Sequence, residues 1–168
     1  MKRIWSPWRM DYIHEEKPEG CIFCDKPKQD RDADNLILLR GEHSYIMLNR
    51  YPYNNGHLMI VPYEHVDMPT GLSPEAQMEL MTQVNICLEV LQDAMHPDGF
   101  NVGMNLGAPA GAGIQDHMHV HVVPRWTGDT SFMPVLGDTH VIVQGLEECY
   151  RQLKPVVDRV YNTDVPSE

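Results

Sequence analysis

The segment Asp116-His117-Met118-His119-Val120-His121-Val122-Val123-Pro124-Arg125 sets three histidines at alternate positions. A β-strand repeats every two residues, so one face of it carries three imidazoles. Met118, Val120 and Val122 then point to the opposite face, into a core. Imidazole titrates near neutral pH and serves as nucleophile, proton carrier or metal ligand. Packing accounts for one histidine in a strand; three in register between a glycine-rich loop and a proline point to chemistry.

Upstream of that strand, Asn35-Leu36-Ile37-Leu38-Leu39-Arg40 and Ser44-Tyr45-Ile46-Met47-Leu48-Asn49 flank Gly41-Glu42-His43 and read as a hairpin. His57-Leu58-Met59-Ile60-Val61-Pro62 is a further strand, after a loop of Pro52, Asn54, Asn55 and Gly56. Ser73-Pro74-Glu75 starts a helix with a capping hydroxyl, a proline at its first position and an early acid. Ala76, Leu80, Met81, Val84, Cys87, Leu88, Leu91 and Met95 then recur at helical spacing and predict a core-facing stripe, ended by His96-Pro97-Asp98-Gly99. Residues 100–106 predict another strand. A C-terminal helix is predicted from about Gly145 to Tyr161, kinked or divided at Pro155. Hairpins outnumber crossovers, so the expected fold is an antiparallel α+β domain with its helices on one sheet face.

At 168 residues the chain is long enough for one domain with a substantial core. Residues 1–34 are polar and irregular and read as an N-terminal extension ahead of a domain over 35–168. Thirteen Lys and Arg against 24 Asp and Glu give a formal charge of −11, which repels polyanions and argues against a nucleic-acid partner. A small phosphorylated ligand stays open, because main-chain N–H groups and imidazolium supply local positive potential. No apolar run has the length of a membrane span, and the basic start lacks the apolar region of a secretory signal, so a cytoplasmic location is expected.

Two features carry further chemistry. Gly107, Gly111 and Gly113 lead directly into the histidines, and such a loop lets main-chain N–H groups approach an anion such as phosphate. Cys21-Ile22-Phe23-Cys24 has the two-residue spacing of a zinc knuckle, although a tetrahedral site needs two more ligands. Cys87 and Cys149 fall in helical patterns and read as small core residues.

The run His-Met-His-Val-His-Val-Val-Pro-Arg-Trp resembles the signature of the histidine-triad (HIT) superfamily of nucleotide hydrolases and transferases. Asn49-Arg50-Tyr51-Pro52-Tyr53-Asn54-Asn55-Gly56-His57-Leu58-Met59-Ile60-Val61-Pro62 is similar to that family's ribose-side block. The opening Trp-Ser-Pro-Trp-Arg-Met and the later Val-Pro-Arg-Trp-Thr-Gly-Asp-Thr-Ser-Phe-Met-Pro resemble its bacterial diadenosine tetraphosphate phosphorylase or hydrolase branch. The resemblance implies a HIT-like antiparallel sheet with a long helix and a C-terminal helix, continued across a homodimer. Trp5, Trp8 and Trp126 are candidate contacts in that dimer.

It also implies a covalent mechanism on a dinucleoside polyphosphate. His119 would attack the α-phosphorus, and His121 would steady the phosphoryl oxygens and assist proton transfer. His57 would support them from the neighbouring strand. Asn49 would hold the ribose hydroxyls, and Asn105 with the loop of Gly111 and Gly113 would contact phosphate. Many members carry Gln or Ser where this chain has Gly113 and Ile114, and Gln115 is out of place for that role. For the metal, the resemblance completes Cys21 and Cys24 with His65 and His117, with His43 as the alternative third ligand, giving a structural zinc. Nucleoside phosphoramidate hydrolysis would use the same residues. Two other readings are a metallohydrolase with one catalytic metal on His117, His119 and His121, and a nucleotide-binding regulator without turnover.

Overall fold

The computed structural model describes residues 20–129 and 144–164. Trp5, Trp8 and the Ser-Phe-Met-Pro motif lie outside the described residues. Two short helices, α1 (Ile22–Asp25) and α2 (Asp32–Asn35), precede β1 (Ile37–Arg40), β2 (Ser44–Leu48) and β3 (Leu58–Pro62). The long helix α3 (Pro74–Met95) leads to β4 (Gly99–Met104) and β5 (Val120–Arg125), and α4 (Leu146–Asp164) follows. The five strands form one antiparallel sheet in the order β1-β2-β3-β5-β4.

The pattern of alternating side chains divides the sheet into two faces. On one, Leu38, Ile46, Leu48, Leu58, Ile60, Val120 and Val122 pack with α3 and α4 into the main core. On the other, Ile37, Tyr45, Met47, Met59 and Val61 are roofed by Phe23 of α1. Phe23 reaches the histidines just ahead of β5 as well, and among the described residues the remainder of that face, along β5 and β4, is open for a site. β4 forms the edge of the sheet, and its last four residues are exposed.

Helix α3 starts as its sequence directs, with Ser73 Oγ accepting the Ala76 N–H at 3.1 Å and Pro74 in the first turn. Its buried stripe differs from expectation in part: Met81 is 62% exposed, while Gln83, Ile86 and Val90 are buried. The helix meets both the sheet and α4, and this second contact rotates the buried stripe away from Met81. Glu79 explains how α3 holds the first hairpin. Its carboxylate accepts the main-chain N–H groups of Glu42, His43 and Ser44 and the Ser44 hydroxyl at 2.6–3.1 Å. A Cβ on Gly41 would come 2.5 Å from both Glu79 Oε1 and Gln83 Nε2, so a larger residue there would push these side chains from the hairpin.

Helix α4 runs unbroken through Pro155, contrary to the expected kink or division. Pro155 sits on the exposed side, where the Arg151 carbonyl that loses its donor can meet water, while Cys149, Leu153, Val157 and Val160 anchor the opposite side in the core. Cys87 and Cys149 are buried core residues as predicted, and burial pushes both thiols up. Among the described residues no helix is long and apolar enough to cross a membrane.

Candidate active site and metal centre

The histidine segment alternates as expected, although the paired strand begins only at Val120. Met118, Val120 and Val122 enter the core; His117, His119 and His121 line the other side, and all three are buried. The rings of His119 and His121 meet edge to face with centroids 4.7 Å apart. Strand pairing sets His121 between Met59 of β3 and Gly103 of β4.

Each histidine's tautomer follows from a main-chain group that can play only one hydrogen-bonding part. A carbonyl only accepts. His119 Nδ1 lies 3.1 Å from the His117 carbonyl oxygen, so Nδ1 carries the proton and Nε2 keeps its lone pair. His117 Nε2 lies 2.8 Å from the Pro62 carbonyl oxygen, so its Nδ1 is the ligand-ready nitrogen. An amide N–H only donates. The Tyr53 N–H donates to His57 Nδ1 at 3.0 Å, so neutral His57 carries its proton on Nε2. That Nε2–H donates to His121 Nδ1 at 2.9 Å and leaves the proton of neutral His121 on Nε2.

The result is an acceptor nitrogen on His119 beside a donor nitrogen on His121. Both are uncharged at neutral pH. Burial, then the neighbouring His121 and His119 charges, lower the His57 pKa to about 3. Burial and His119 lower that of His121 to about 4. Burial also lowers His117 and His119, opposed in each by the hydrogen bond to a carbonyl. The local positive potential allowed for at the outset therefore does not come from imidazolium here; a polarised N–H takes its place.

Asn49 adjoins this chain of bonds. Its Nδ2 is 3.4 Å from His57 Nδ1, and its Oδ1 accepts the Tyr51 N–H at 2.9 Å. Asn105 is half-buried and lines a cavity with His121. Gly111 and Gly113 are exposed on the loop before the histidines, where Gly107 and Gly111 take left-handed φ values of 81° and 86° that favour glycine. Ile114 packs against the cluster that contains Phe23, and Gln115 is exposed.

The sequence singled out neither Phe23 nor Tyr53. The Phe23 ring lies 4.9 Å from that of His119 and 5.5 Å from that of His117. The Tyr53 ring lies 4.7 Å from His57 and 5.7 Å from His121. An aromatic residue one position inside the Cys-x-x-Cys turn was the available signal for Phe23; Tyr53 acts through its main chain, which sequence does not reveal.

The second cluster joins Cys21, Cys24, His65 and His117, whose ligand atoms all lie within 4.8 Å of one another. His43 is not part of it. Its main-chain N–H is held by Glu79, on the far side of the hairpin turn. Cys21 Sγ is 3.2 Å and Cys24 Sγ 3.5 Å from His117 Nδ1, and Cys24 Sγ is 3.3 Å from His65 Nδ1. A tetrahedral zinc with Zn–S of about 2.3 Å and Zn–N of about 2.0–2.1 Å sets neighbouring donors roughly 3.5 Å apart. Two sulfurs and two imidazoles at this spacing suit such an ion and can hold it with no fifth contact. The Met118 N–H bonds the Val66 carbonyl at 2.7 Å, bringing the chain neighbours of His117 and His65 together.

A family model described as "HIT domain" matches residues 30–128. The chain is 40% identical over 161 residues to the "AP-4-A phosphorylase" of Mycobacterium tuberculosis, covering 91% of this chain and 83% of that protein. Among solved structures, a Zn-bound histidine triad family protein from Mycobacterium smegmatis superposes with a TM-score of 0.66 at 23% identity, over 86% of this chain and 98% of the other. A histidine triad nucleotide-binding protein from Sulfolobus tokodaii superposes with a TM-score of 0.63 at 24% identity, over 85% and 93%.

Proposed function

This chain belongs to the HIT-domain family, and from that premise we propose that it cleaves dinucleoside polyphosphates of the diadenosine tetraphosphate type at an α-phosphate, through a nucleotide transiently bonded to His119. One observation carries the proposal: His119 presents a bare Nε2 while its Nδ1–H is tied to the His117 carbonyl. Neutral imidazole is a fair nucleophile, and the phosphoramidate it forms is labile. Nε2 bonds to the α-phosphorus as the bond from that phosphorus to the bridging oxygen breaks. The departing polyphosphate leaves as an anion; His121 Nε2–H donates a hydrogen bond to its oxygen, and the His57 Nε2–H bond holds His121 in that tautomer. Attack of water on the phosphorus then releases a nucleoside monophosphate; attack of inorganic phosphate releases a nucleoside diphosphate. Asn49 is assigned to the ribose hydroxyls, and Asn105 with the loop at Gly111 and Gly113 to the phosphates.

The same reading assigns a structural zinc to Cys21, Cys24, His65 and His117, supported by the donor set and its spacing. Zinc bound there supplies a cross-link between the N-terminal turn and the histidine segment. His117 Nδ1 faces the cysteines and His121 Nδ1 is engaged by His57, which favours nucleophilic chemistry over one metal shared by all three histidines. Residues 1–34 are taken as an extension carrying the metal knuckle and 35–168 as the HIT domain. A homodimer and a cytoplasmic setting complete the proposal. The uncovered edge strand β4, with exposed Val102 and Met104, favours pairing with a second copy, which light scattering tests.

Product analysis with diadenosine tetraphosphate in phosphate-free and phosphate-containing buffer tests the reaction. Turnover that disappears in His119→Ala, with an acid-labile nucleotide adduct on His119 in the parent, supports it. Turnover that survives the substitution without an adduct ends it. Rates on an adenosine phosphoramidate, which uses the same residues, show which leaving group is preferred.

A further inference from the structure

Beyond His121, on the side away from His119, the open sheet face holds a cavity of about 260 Å³. Its lining includes His121, Asn105, Gly103, Asn101, Val123 and the Tyr53 ring; His119 does not reach it. Three features of this cavity are unexplained by the chemistry at His119. Tyr53 is 54% exposed, large for an aromatic ring that covers two buried histidines. Gly103 pairs with His121 in an ordinary strand conformation, and a Cβ there would meet nothing within 4 Å. The positive charge at the cavity's end is already engaged. Arg125 binds both oxygens of Asp129 at 2.6 and 2.7 Å and the Asn101 Oδ1 at 2.9 Å. Among the described residues the lining thus offers an aromatic face, carboxamides and open space, with the Arg125 charge neutralised by Asp129. That composition suits a nucleoside better than a phosphate.

Displacement at phosphorus sends the leaving oxygen away from the nucleophile. With His119 on one side, the departing half of the substrate leaves past His121, toward this cavity. We propose that the cavity is the subsite for the second, departing nucleoside of a dinucleoside polyphosphate, with its base stacked on Tyr53 and Gly103 leaving room for it. Tyr53 and Gly103 thereby set the preference for dinucleotides over substrates with small leaving groups. This inference rests on the reading of His119 as the nucleophile.

The test compares two substrates that share the transferred adenylyl group: diadenosine tetraphosphate and adenosine 5′-phosphoramidate. Gly103→Leu projects a side chain into the cavity from a position where the first added carbon meets nothing within 4 Å, and Tyr53→Ala removes the ring while keeping the main-chain N–H that His57 needs. Each lowers the ratio of kcat/KM for the dinucleotide over the phosphoramidate roughly tenfold, the scale of one base-stacking contact, and Tyr53→Phe restores it. An unchanged ratio in both variants, or an equal fall on both substrates, overturns the subsite. Calorimetry in a His119→Ala background gives a second measurement without turnover. There the dinucleotide binds more tightly than AMP, and Gly103→Leu removes the difference. Equal affinity of dinucleotide and AMP before that change overturns the subsite as well. Failure of the nucleophile reading registers separately, as turnover surviving in His119→Ala.

Discussion

His57 Nε2 donates to His121 Nδ1 across 2.9 Å, with no carboxylate in the pair. An acid beside His121 would raise its pKa and make it an imidazolium; a second buried imidazole orients it and leaves it neutral. Electrostatic assistance at this site is therefore a matter of which nitrogen bears hydrogen.

That relationship sets the pH dependence of the reaction. With His121 near 4, His57 near 3 and burial holding His119 below the ordinary imidazole range, all three rings are neutral at about pH 7 to 8, so kcat/KM stays flat there and falls at lower pH as His119 Nε2 takes up a proton. His57→Ala frees His121 Nδ1 and lowers kcat roughly 10- to 100-fold. His57→Gln, whose amide can still donate to Nδ1, recovers part of the loss. Single-turnover rates across pH check both.

The buried His57 also ties stability to pH. Its folded pKa of about 3 lies below the ordinary 6.5, so between those values the unfolded chain binds the extra proton. Stability from this group is intact above pH 6.5 and declines as the pH is lowered toward 3. By pH 4.5 the cost is about 2–3 kcal/mol. Urea denaturation at pH 7.5 and 4.5 measures it, and the difference between the parent and His57→Gln separates it from other acid effects such as metal loss.

Metal removal acts on the same segment through His117, whose side chain belongs to the Cys/His cluster and whose carbonyl holds His119. Chelation or Cys24→Ser is expected to abolish stoichiometric zinc binding and lower Tm by several degrees. Activity then decays together with the folded fraction and returns when zinc is added back. Immediate loss of activity in a protein that remains fully folded would point instead to a catalytic ion.

Glu79 offers a prediction away from the chemistry. Its carboxylate receives three main-chain N–H groups and a hydroxyl, so Glu79→Ala strands donors at the first hairpin turn. The expected cost is about 2–4 kcal/mol in urea denaturation. kcat/KM below the melting transition is retained, because Glu79 belongs to the α3–hairpin junction and not to the histidine cluster.

Much of the fold was legible because its signals are local. Ser73 and Pro74 mark the start of α3, the turn at Gly41 marks a hairpin, and alternation marks the face of His119 and His121. Pro155 misled because a missing donor on the exposed side of α4 costs less than the packing of Leu153 and Val157 returns. Met81 misled because the buried stripe of α3 depends on where the sheet and α4 both meet it.

The sequence by itself determined which residues could do the chemistry: three imidazoles on one face, a glycine-rich approach and a pair of cysteines. The His117 carbonyl that fixes His119 is local to the same segment, and only the tertiary structure decided what His117 and His121 do. The Pro62 carbonyl lies far along the chain from the His117 ring it orients, and His57 lies far from the His121 ring it orients. A ring nitrogen keeps its proton or its lone pair according to the partner folding brings to it. Composition and spacing carry no record of that partner.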